Sequence, residues 1–97
     1  MNRKETLEKL HRHMDALHRE FGIKSLALFG SVAKNCAGPN SDVDLLVDFD
    51  RPVGLFHLLR TKEHLQTMLG VKEVDLVLRK AVIPELREAI LMEAVNV

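Results

Sequence analysis

Two short apolar segments, separated by a brief stretch rich in turn-forming residues, restrict the fold of this chain more than any other feature. The first, IKSLALFG, predicts a strand that ends at Gly30, and the second, DVDLLVDF, predicts a strand that begins at Asp42. Between them, SVAKNCA predicts a brief helix with Ser31 near its N-terminus, and GPNS at 38–41 predicts a turn. The chain is therefore expected to combine strands with helices.

The remaining length is dominated by helical patterns. Apolar residues three and four positions apart predict one helix over about 3–21, ended by Gly22, and another over roughly 54–69, ended by Gly70. The apolar stripe of the second helix consists of Leu55, Leu58, Leu59, Leu65 and Leu69. Pro84 is expected to open a last helix, because proline is tolerated at a helix start. The predicted inner face of that helix is Ile83, Leu86, Ile90 and Ala94.

A third strand, KEVDLVLR, carries Asp75 between apolar residues. The predicted order is helix, strand, short helix, strand, helix, strand, helix. This order predicts an α/β fold with a small mixed sheet of three or slightly more strands, flanked by helices. A length of 97 residues fits one domain, so residues 1–97 are predicted as a single domain.

Composition argues against several classes of function. Basic and acidic residues number 14 each, and Trp and Tyr are missing. A chain without net charge or stacking aromatics is not expected to bind nucleic acid or an anionic membrane directly. The N-terminus is charged rather than apolar, no apolar run could span a bilayer, and the single Cys36 permits a reducing compartment. A cytoplasmic protein is expected.

Three aspartates and one Gly-Ser pair are the strongest chemical pattern. By the two-residue period of a strand, Asp42 and Asp44 share a face about 7 Å apart, and Asp75 lies in another strand. Carboxylates beside buried strands repel each other unless a cation offsets them, and carboxylate oxygens suit Mg²⁺. Gly30 and Ser31 could let the backbone approach a phosphate. Each feature alone is more often an ordinary turn, cap or ion pair, but the joint pattern predicts a phosphate site beside a metal site.

Other residues leave alternatives open. The five histidines are expected on solvated helix surfaces rather than at a zinc site. Arg79 and Lys80 could steer a triphosphate, or they could be exposed residues at the edge of the sheet without a role in binding. The C-terminal AILMEAVNV is apolar around more than one helix face, so Leu91, Met92 and Val95 form either a packed terminal helix or a contact surface for a partner or a second copy.

The segments LFGSVAK, SDVDLLVDF and VDLVLRKAVIPELREAILMEAV together resemble the minimal nucleotidyltransferases of the DNA polymerase β superfamily. The resemblance implies their fold and, for the antitoxin members, transfer of AMP from ATP to a tyrosine of a HEPN ribonuclease toxin. It further implies that Gly30, Ser31 and Lys34 hold the triphosphate. By the same resemblance, Asp42, Asp44 and Asp75 bind Mg²⁺, with Asp75 also as general base.

One departure from the family pattern is visible. The family usually has Arg-Gly where this chain has Lys34-Asn35, so the charge is kept and the bidentate guanidinium is lost. The expected function is an Mg²⁺-dependent protein adenylyltransferase acting as an antitoxin, with the partner toxin completing the acceptor side. The alternative is an antitoxin that neutralises its toxin by binding alone, with a vestigial site. A nucleotidyltransferase acting on RNA or a small molecule is a third hypothesis.

Overall fold

Helices and strands alternate along the chain, as the apolar patterns predict. The computed structural model describes residues 2–33 and 42–97, apart from the side chains of Ser31 and Val32. The elements, in chain order, are α1 (Arg3–Phe21), β1 (Ile23–Phe29), α2 (Gly30–Ala33), β2 (Val43–Phe49), α3 (Leu55–Leu69), β3 (Val74–Leu78), α4 (Pro84–Glu93) and β4 (Val95–Asn96). A short 3₁₀ turn, Arg79–Ala81, joins β3 to α4. The turn predicted at 38–41 lies outside the described residues.

The strands form one mixed sheet in the order β3-β2-β1-β4. Strand β1 pairs antiparallel with both β2 and β4, whereas β2 and β3 are parallel. The predicted α/β class with a small mixed sheet is therefore confirmed. The parallel pair places the first residues of β2 and β3 at the same end of the sheet, and the antiparallel pair places the last residues of β1 there too.

The fourth strand corrects the prediction for the C-terminus, which was expected to remain helical. Helix α4 ends at Glu93, Ala94 adopts an extended conformation, and Val95 pairs with Leu28 of β1. The amide of Val97 also donates a hydrogen bond to the carbonyl of Leu26, at 3.0 Å. Because β1 would otherwise present unpaired backbone groups along this edge, the strand satisfies them. Two residues are too few to show a strand period in the sequence.

The main core lies between the sheet and the two long helices. Val43, Leu45 and Val47 of β2 are almost fully buried there, as their alternation predicts, and they share this core with Leu10 and Leu17 of α1 and with Leu65 and Leu69 of α3. Helix α1 is capped by Asn2 at its start, whose side chain accepts from the amide of Glu5, and by Gly22 at its end. Gly70 ends α3 in the same left-handed conformation, so both predicted helix stops are confirmed.

The predicted stripe of α3 is only partly buried. Leu65 and Leu69 are core residues and Leu58 packs against the core, but Leu55 and Leu59 are exposed. Leu59 is one residue beyond Leu58 and therefore turns about 100° away from the sheet. Phe56, in the first turn of the helix, is 81% exposed. The first turn of α3 therefore adds apolar surface rather than core.

Helix α4 covers the opposite face of the sheet lightly. Its Ile90, together with Ala94, packs against Ala27, Leu46 and Val82, and no residue of the helix is fully buried. The predicted inner face of α4 is therefore half wrong, because Ile83 and Leu86 are each more than half exposed. The contact with the sheet is confined to the C-terminal half of the helix. As a result, this face of the sheet stays accessible near its carboxylates.

The C-terminal residues assigned together in the sequence divide between two environments. Met92 is 82% exposed and Leu91 is also exposed, as a contact surface requires. Val95 is instead half-buried in β4 and packs against the main core. Among the described residues, no helix has both the length and the hydrophobicity needed to cross a bilayer.

Candidate active site

The predicted site residues meet at one end of the sheet. Asp44 of β2 lies opposite Phe29, the last residue of β1, and beside Asp75 of β3 in the parallel register. Asp44 and Asp75 therefore lie on the same face of the sheet, since neighbouring strand partners point to the same side. That face is the one that α4 covers only lightly.

Asp44 and Asp75 are in direct contact. The pKa of Asp44 is raised to about 6, first by burial and then by the hydrogen bond to Asp75 and the negative charges of Asp75 and Asp42. A carboxyl with this pKa keeps its proton more firmly than an exposed aspartate does, and it donates that proton to its neighbour. The two carboxyl groups are thus close enough that a proton or a bound cation between them would offset their repulsion.

Asp42 lies just before β2 and is exposed. The amide of the next residue, Val43, donates a 3.3 Å hydrogen bond to the carbonyl of Glu73, which fixes the start of β2 against the start of β3. The negative charge of Asp42 is close enough to contribute to the raised pKa of Asp44. Asp42 therefore belongs to the same acidic cluster, at its solvent edge.

Gly30 is required by the position of Asp44. Its φ of +75° is a left-handed conformation, and a Cβ added there would lie 2.9 Å from Cγ of Asp44 and closer still to its Oδ2. Any side chain at this position would therefore push against the carboxylate. Gly30 also begins the four-residue α2, so the backbone that follows β1 passes directly beside the acidic cluster.

The other two predicted nucleotide contacts lie outside what the structure describes. Ser31 has a described backbone within α2 but no described side chain, and Lys34 is outside the described residues altogether. Their roles stay predictions. The structure thus brings together Gly30, Asp42, Asp44 and Asp75 of the predicted set.

Two residues of α3 support this end of the sheet and were not singled out in the sequence. Gln66 accepts a 3.0 Å hydrogen bond from the amide of Val74, the first residue of β3. Lys62 forms an ion pair with Glu73, and that contact raises the pKa of Lys62, with smaller contributions from the charges of Asp75 and Asp42. Lys62 is therefore a cation beside the acidic cluster. No local pattern could have revealed it, because its proximity comes from packing of α3 on β3.

The histidines of α3 are not simply solvated, contrary to the prediction. Nε2 of His57 lies 2.7 Å from the carbonyl oxygen of Phe21, and its ring packs edge-on against Phe49. The ring of His64 lies 4.8 Å from that of Phe21. Both histidines therefore help join α1 to α3, because this helix face meets aromatic residues from other elements. His57 lies beside Phe49, the last residue of β2, whereas Asp44 and Asp75 lie near the first residues of β2 and β3.

The donor set suits a hard divalent cation. Among residues 2–33 and 42–97, no three His, Cys, Asp or Glu side chains are already close enough to enclose a metal ion. Two of the three aspartates nevertheless touch, the third lies beside them, and all offer carboxylate oxygens, which Mg²⁺ prefers. Burial, the contact with Asp75 and the charge of Asp42 raise the pKa of Asp44, and a bound cation would favour its ionised form. The residues present therefore fit Mg²⁺.

The raised pKa of Asp44 predicts a pH-dependent stability difference in metal-free protein. Because the pKa is about 6 in the folded state against 3.8 ordinarily, the Asp44 contribution to stability is fully present below about pH 4 and lost as pH rises through about 6. Asp44→Asn has no such group. We expect the melting temperature of Asp44→Asn minus that of wild type to increase from pH 4 to 7 in EDTA, as measured by scanning calorimetry. A difference independent of pH would contradict the assignment.

Comparison with known proteins agrees with this geometry. Residues 10–97 match the family described as nucleotidyltransferase domain. The chain is 33% identical over 96 residues to protein adenylyltransferase MntA of Thermococcus cleftensis, which covers 95% of this chain and 96% of that protein. It is 36% identical over 91 residues to MJ0435 of Methanocaldococcus jannaschii, named as a candidate protein adenylyltransferase, covering 94% of this chain and 97% of that one.

Solved structures show the same fold. A structure described as a minimal nucleotidyltransferase superposes with a TM-score of 0.81 at 37% identity, covering all of this chain and 97% of the other. A toxin–antitoxin structure with AMP-PNP gives a TM-score of 0.69 at 19% identity, covering 99% of this chain and 72% of that one. At that identity, the second likeness concerns the fold alone. With the family match over residues 10–97 and the acidic cluster beside Gly30, the chain belongs to the nucleotidyltransferase family and is a minimal nucleotidyltransferase homologous to protein adenylyltransferase MntA.

Proposed function

We propose that this protein transfers AMP from ATP to a tyrosine of a HEPN ribonuclease toxin, and thereby acts as the antitoxin of that toxin. The observation that carries the proposal is the contact between Asp44 and Asp75 beside Gly30, at the accessible end of the sheet. This arrangement places a carboxylate pair next to a stretch of backbone that can approach a phosphate. The homology to protein adenylyltransferase MntA favours AMP as the group transferred and a protein as the acceptor.

Each site residue has a proposed role in this reaction. Asp42, Asp44 and Asp75 would hold Mg²⁺, which when bound offsets the negative charge of the triphosphate. Gly30 and Ser31 would receive the triphosphate through the backbone, with Lys34 as an additional cation. The acceptor hydroxyl oxygen forms a bond to the α-phosphorus, the bond from that phosphorus to pyrophosphate breaks, and pyrophosphate leaves. Asp75 takes the proton of the hydroxyl as general base.

ATP and a toxin partner are supported by the relatives. One structural neighbour is a toxin–antitoxin complex with AMP-PNP, and another is the MntA–HepT toxin–antitoxin pair, with a TM-score of 0.67 at 18% identity. In this chain, apolar side chains around α4, Met92 and Leu86 among them, are exposed and available for a protein contact. A second copy of the chain is the alternative occupant of that surface. We propose the cytoplasm as the compartment, because a single cysteine suits a reducing environment.

The reaction and its metal requirement can be tested in one experiment. We expect the purified toxin partner, incubated with this protein, ATP and Mg²⁺, to gain the mass of AMP on a tyrosine, as measured by intact-mass and peptide mass spectrometry. Replacing Mg²⁺ with EDTA should abolish the gain, because the aspartates alone repel the triphosphate. Heat-denatured protein with ATP and Mg²⁺ is the control for non-enzymatic labelling.

Two outcomes would contradict parts of the proposal. Transfer at an equal rate in EDTA would exclude the metal role of the aspartates. An unmodified toxin held in a tight and inactive complex would instead support neutralisation by binding alone, with a vestigial site.

A further inference from the structure

A cavity of about 250 Å³ lies between the sheet and α4, on the sheet face that carries Asp44 and Asp75. Leu46, Val82 and Ile90 contribute its apolar lining, and all three belong to the small apolar cluster between α4 and the sheet. The cavity exists because only the C-terminal half of α4 rests on this face. Its volume could receive one or two amino-acid side chains, but not a large cofactor.

The cavity is positively charged around its opening. Arg79 and Lys80 of the 3₁₀ turn and Arg87 of α4 line it, and among the described lining residues Asp48 is the one carboxylate. In the part of the chain that the structure describes, no ion pair involves any of these three cations. The chain as a whole has equal numbers of basic and acidic residues. Three unpaired cations around one cavity are therefore a local concentration of positive charge, which would attract an anionic group.

The position of the cavity relates it to the carboxylate cluster. Asp44, Leu46 and Asp48 alternate along one face of β2, so the cavity begins about 7 Å from Asp44 and extends to about 13 Å by strand rise. An extended peptide covers that distance in about two to four residues. One polypeptide segment could therefore present a hydroxyl at Asp75 and place a neighbouring side chain in the cavity.

We propose that this cavity binds an acidic side chain of the protein acceptor, two to four residues from the hydroxyl that receives AMP. The inference rests on the proposed function for the position of that hydroxyl. The charge favours a carboxylate over the adenine ring of the nucleotide, because adenine is neutral and needs no cluster of cations. The phosphates of ATP are assigned to Gly30, at the other end of this face. The apolar lining contacts the aliphatic part of a glutamate, while Arg79 and Arg87 can pair with its carboxylate.

Fluorescence anisotropy with synthetic peptides tests the proposal without ATP. Three labelled peptides of equal length each carry one tyrosine, with two Glu, two Gln or two Lys residues placed two to four positions away from it. We expect the Glu peptide to bind at least about tenfold more tightly than the Gln peptide at low salt, and to lose this preference at high salt. Arg79→Gln and Arg87→Gln should each weaken binding of the Glu peptide about fivefold.

Arg60→Gln is the matched control, because Arg60 is an exposed arginine of α3 that does not line the cavity. It should leave the affinity for the Glu peptide unchanged, and the melting temperatures of all three variants should match that of wild type. Equal affinity for the Glu and Gln peptides would overturn the proposal. So would competition by ATP for the cavity in the absence of a divalent ion, since the cavity would then hold the nucleotide.

Binding and AMP transfer separate the two claims. Selective binding of the Glu peptide, lost in Arg79→Gln and Arg87→Gln, supports the acidic acceptor site whether or not AMP is transferred. A wild-type protein that binds the Glu peptide selectively but transfers no AMP to the purified toxin contradicts only the proposed function. If Arg79→Gln and Arg87→Gln modify the toxin at the wild-type rate, only the cavity proposal is contradicted.

Discussion

Replacing Asp44 with asparagine is expected to abolish AMP transfer while leaving the fold intact. The amide has the shape of the carboxyl group but neither its charge nor its ability to hold a cation jointly with Asp75. Losing a metal ligand of this kind should lower the transfer rate by at least about 10³-fold, or roughly 4 kcal/mol of transition-state stabilisation. Single-turnover labelling of the toxin with radioactive ATP measures the rate.

Although Asp44→Asn should lose activity, its thermal stability should not fall. Asp44 is partly buried beside Asp75, and its raised pKa shows that its ionised form is unfavourable there. The asparagine variant should therefore melt at the same or a higher temperature than metal-free wild type at pH 7. Asp15→Asn, an equal change of charge on the exposed surface of α1, should alter neither rate nor melting temperature appreciably. Wild-type labelling by Asp44→Asn would show that the site is assigned wrongly.

Replacing Gly30 with alanine is expected to impair transfer by displacing Asp44. The new Cβ would lie within van der Waals distance of the Asp44 carboxylate, so that side chain must turn away or the backbone must shift. A displacement of about 1 Å at a reacting group can cost about 10²-fold in rate, and we expect a loss of at least that size. The left-handed backbone adds strain of about 1 kcal/mol, which should lower the melting temperature.

Gly70→Ala separates the strain from the collision. Gly70 has nearly the same φ, +70°, but a Cβ added there would have no atom within 4 Å. Gly70→Ala should therefore lower the melting temperature about as much as Gly30→Ala does, and it should leave the transfer rate unchanged. If Gly30→Ala retained the wild-type rate, or if Gly70→Ala lost activity as severely, the close approach of Gly30 to Asp44 would not be what the reaction requires.

The sequence by itself determined the elements whose pattern repeats along the chain. The two-residue period of β2 predicts which of its residues enter the core. The apolar residues of α1 at spacings of three and four predict its buried side. Both predictions work because residues buried at regular intervals are apolar at regular intervals in the sequence. The stops at Gly22 and Gly70 follow from the same local logic, since a left-handed residue is most easily supplied by glycine. Asp42, Asp44 and Asp75 could be identified as a group by their places in two of the predicted strands and by resemblance to a family.

Only the tertiary structure decided which of these residues touch. The parallel register brings Asp44 against Asp75, and the chain direction at Gly30 brings its backbone against the same carboxylate. Strand β4 is two residues long and forms because β1 has an open edge, which no local pattern records. The ion pair of Lys62 and the cavity beneath α4 likewise depend on how separate elements pack. Local patterns report the periodicity of one segment, whereas a contact between segments depends on the shape and register of both.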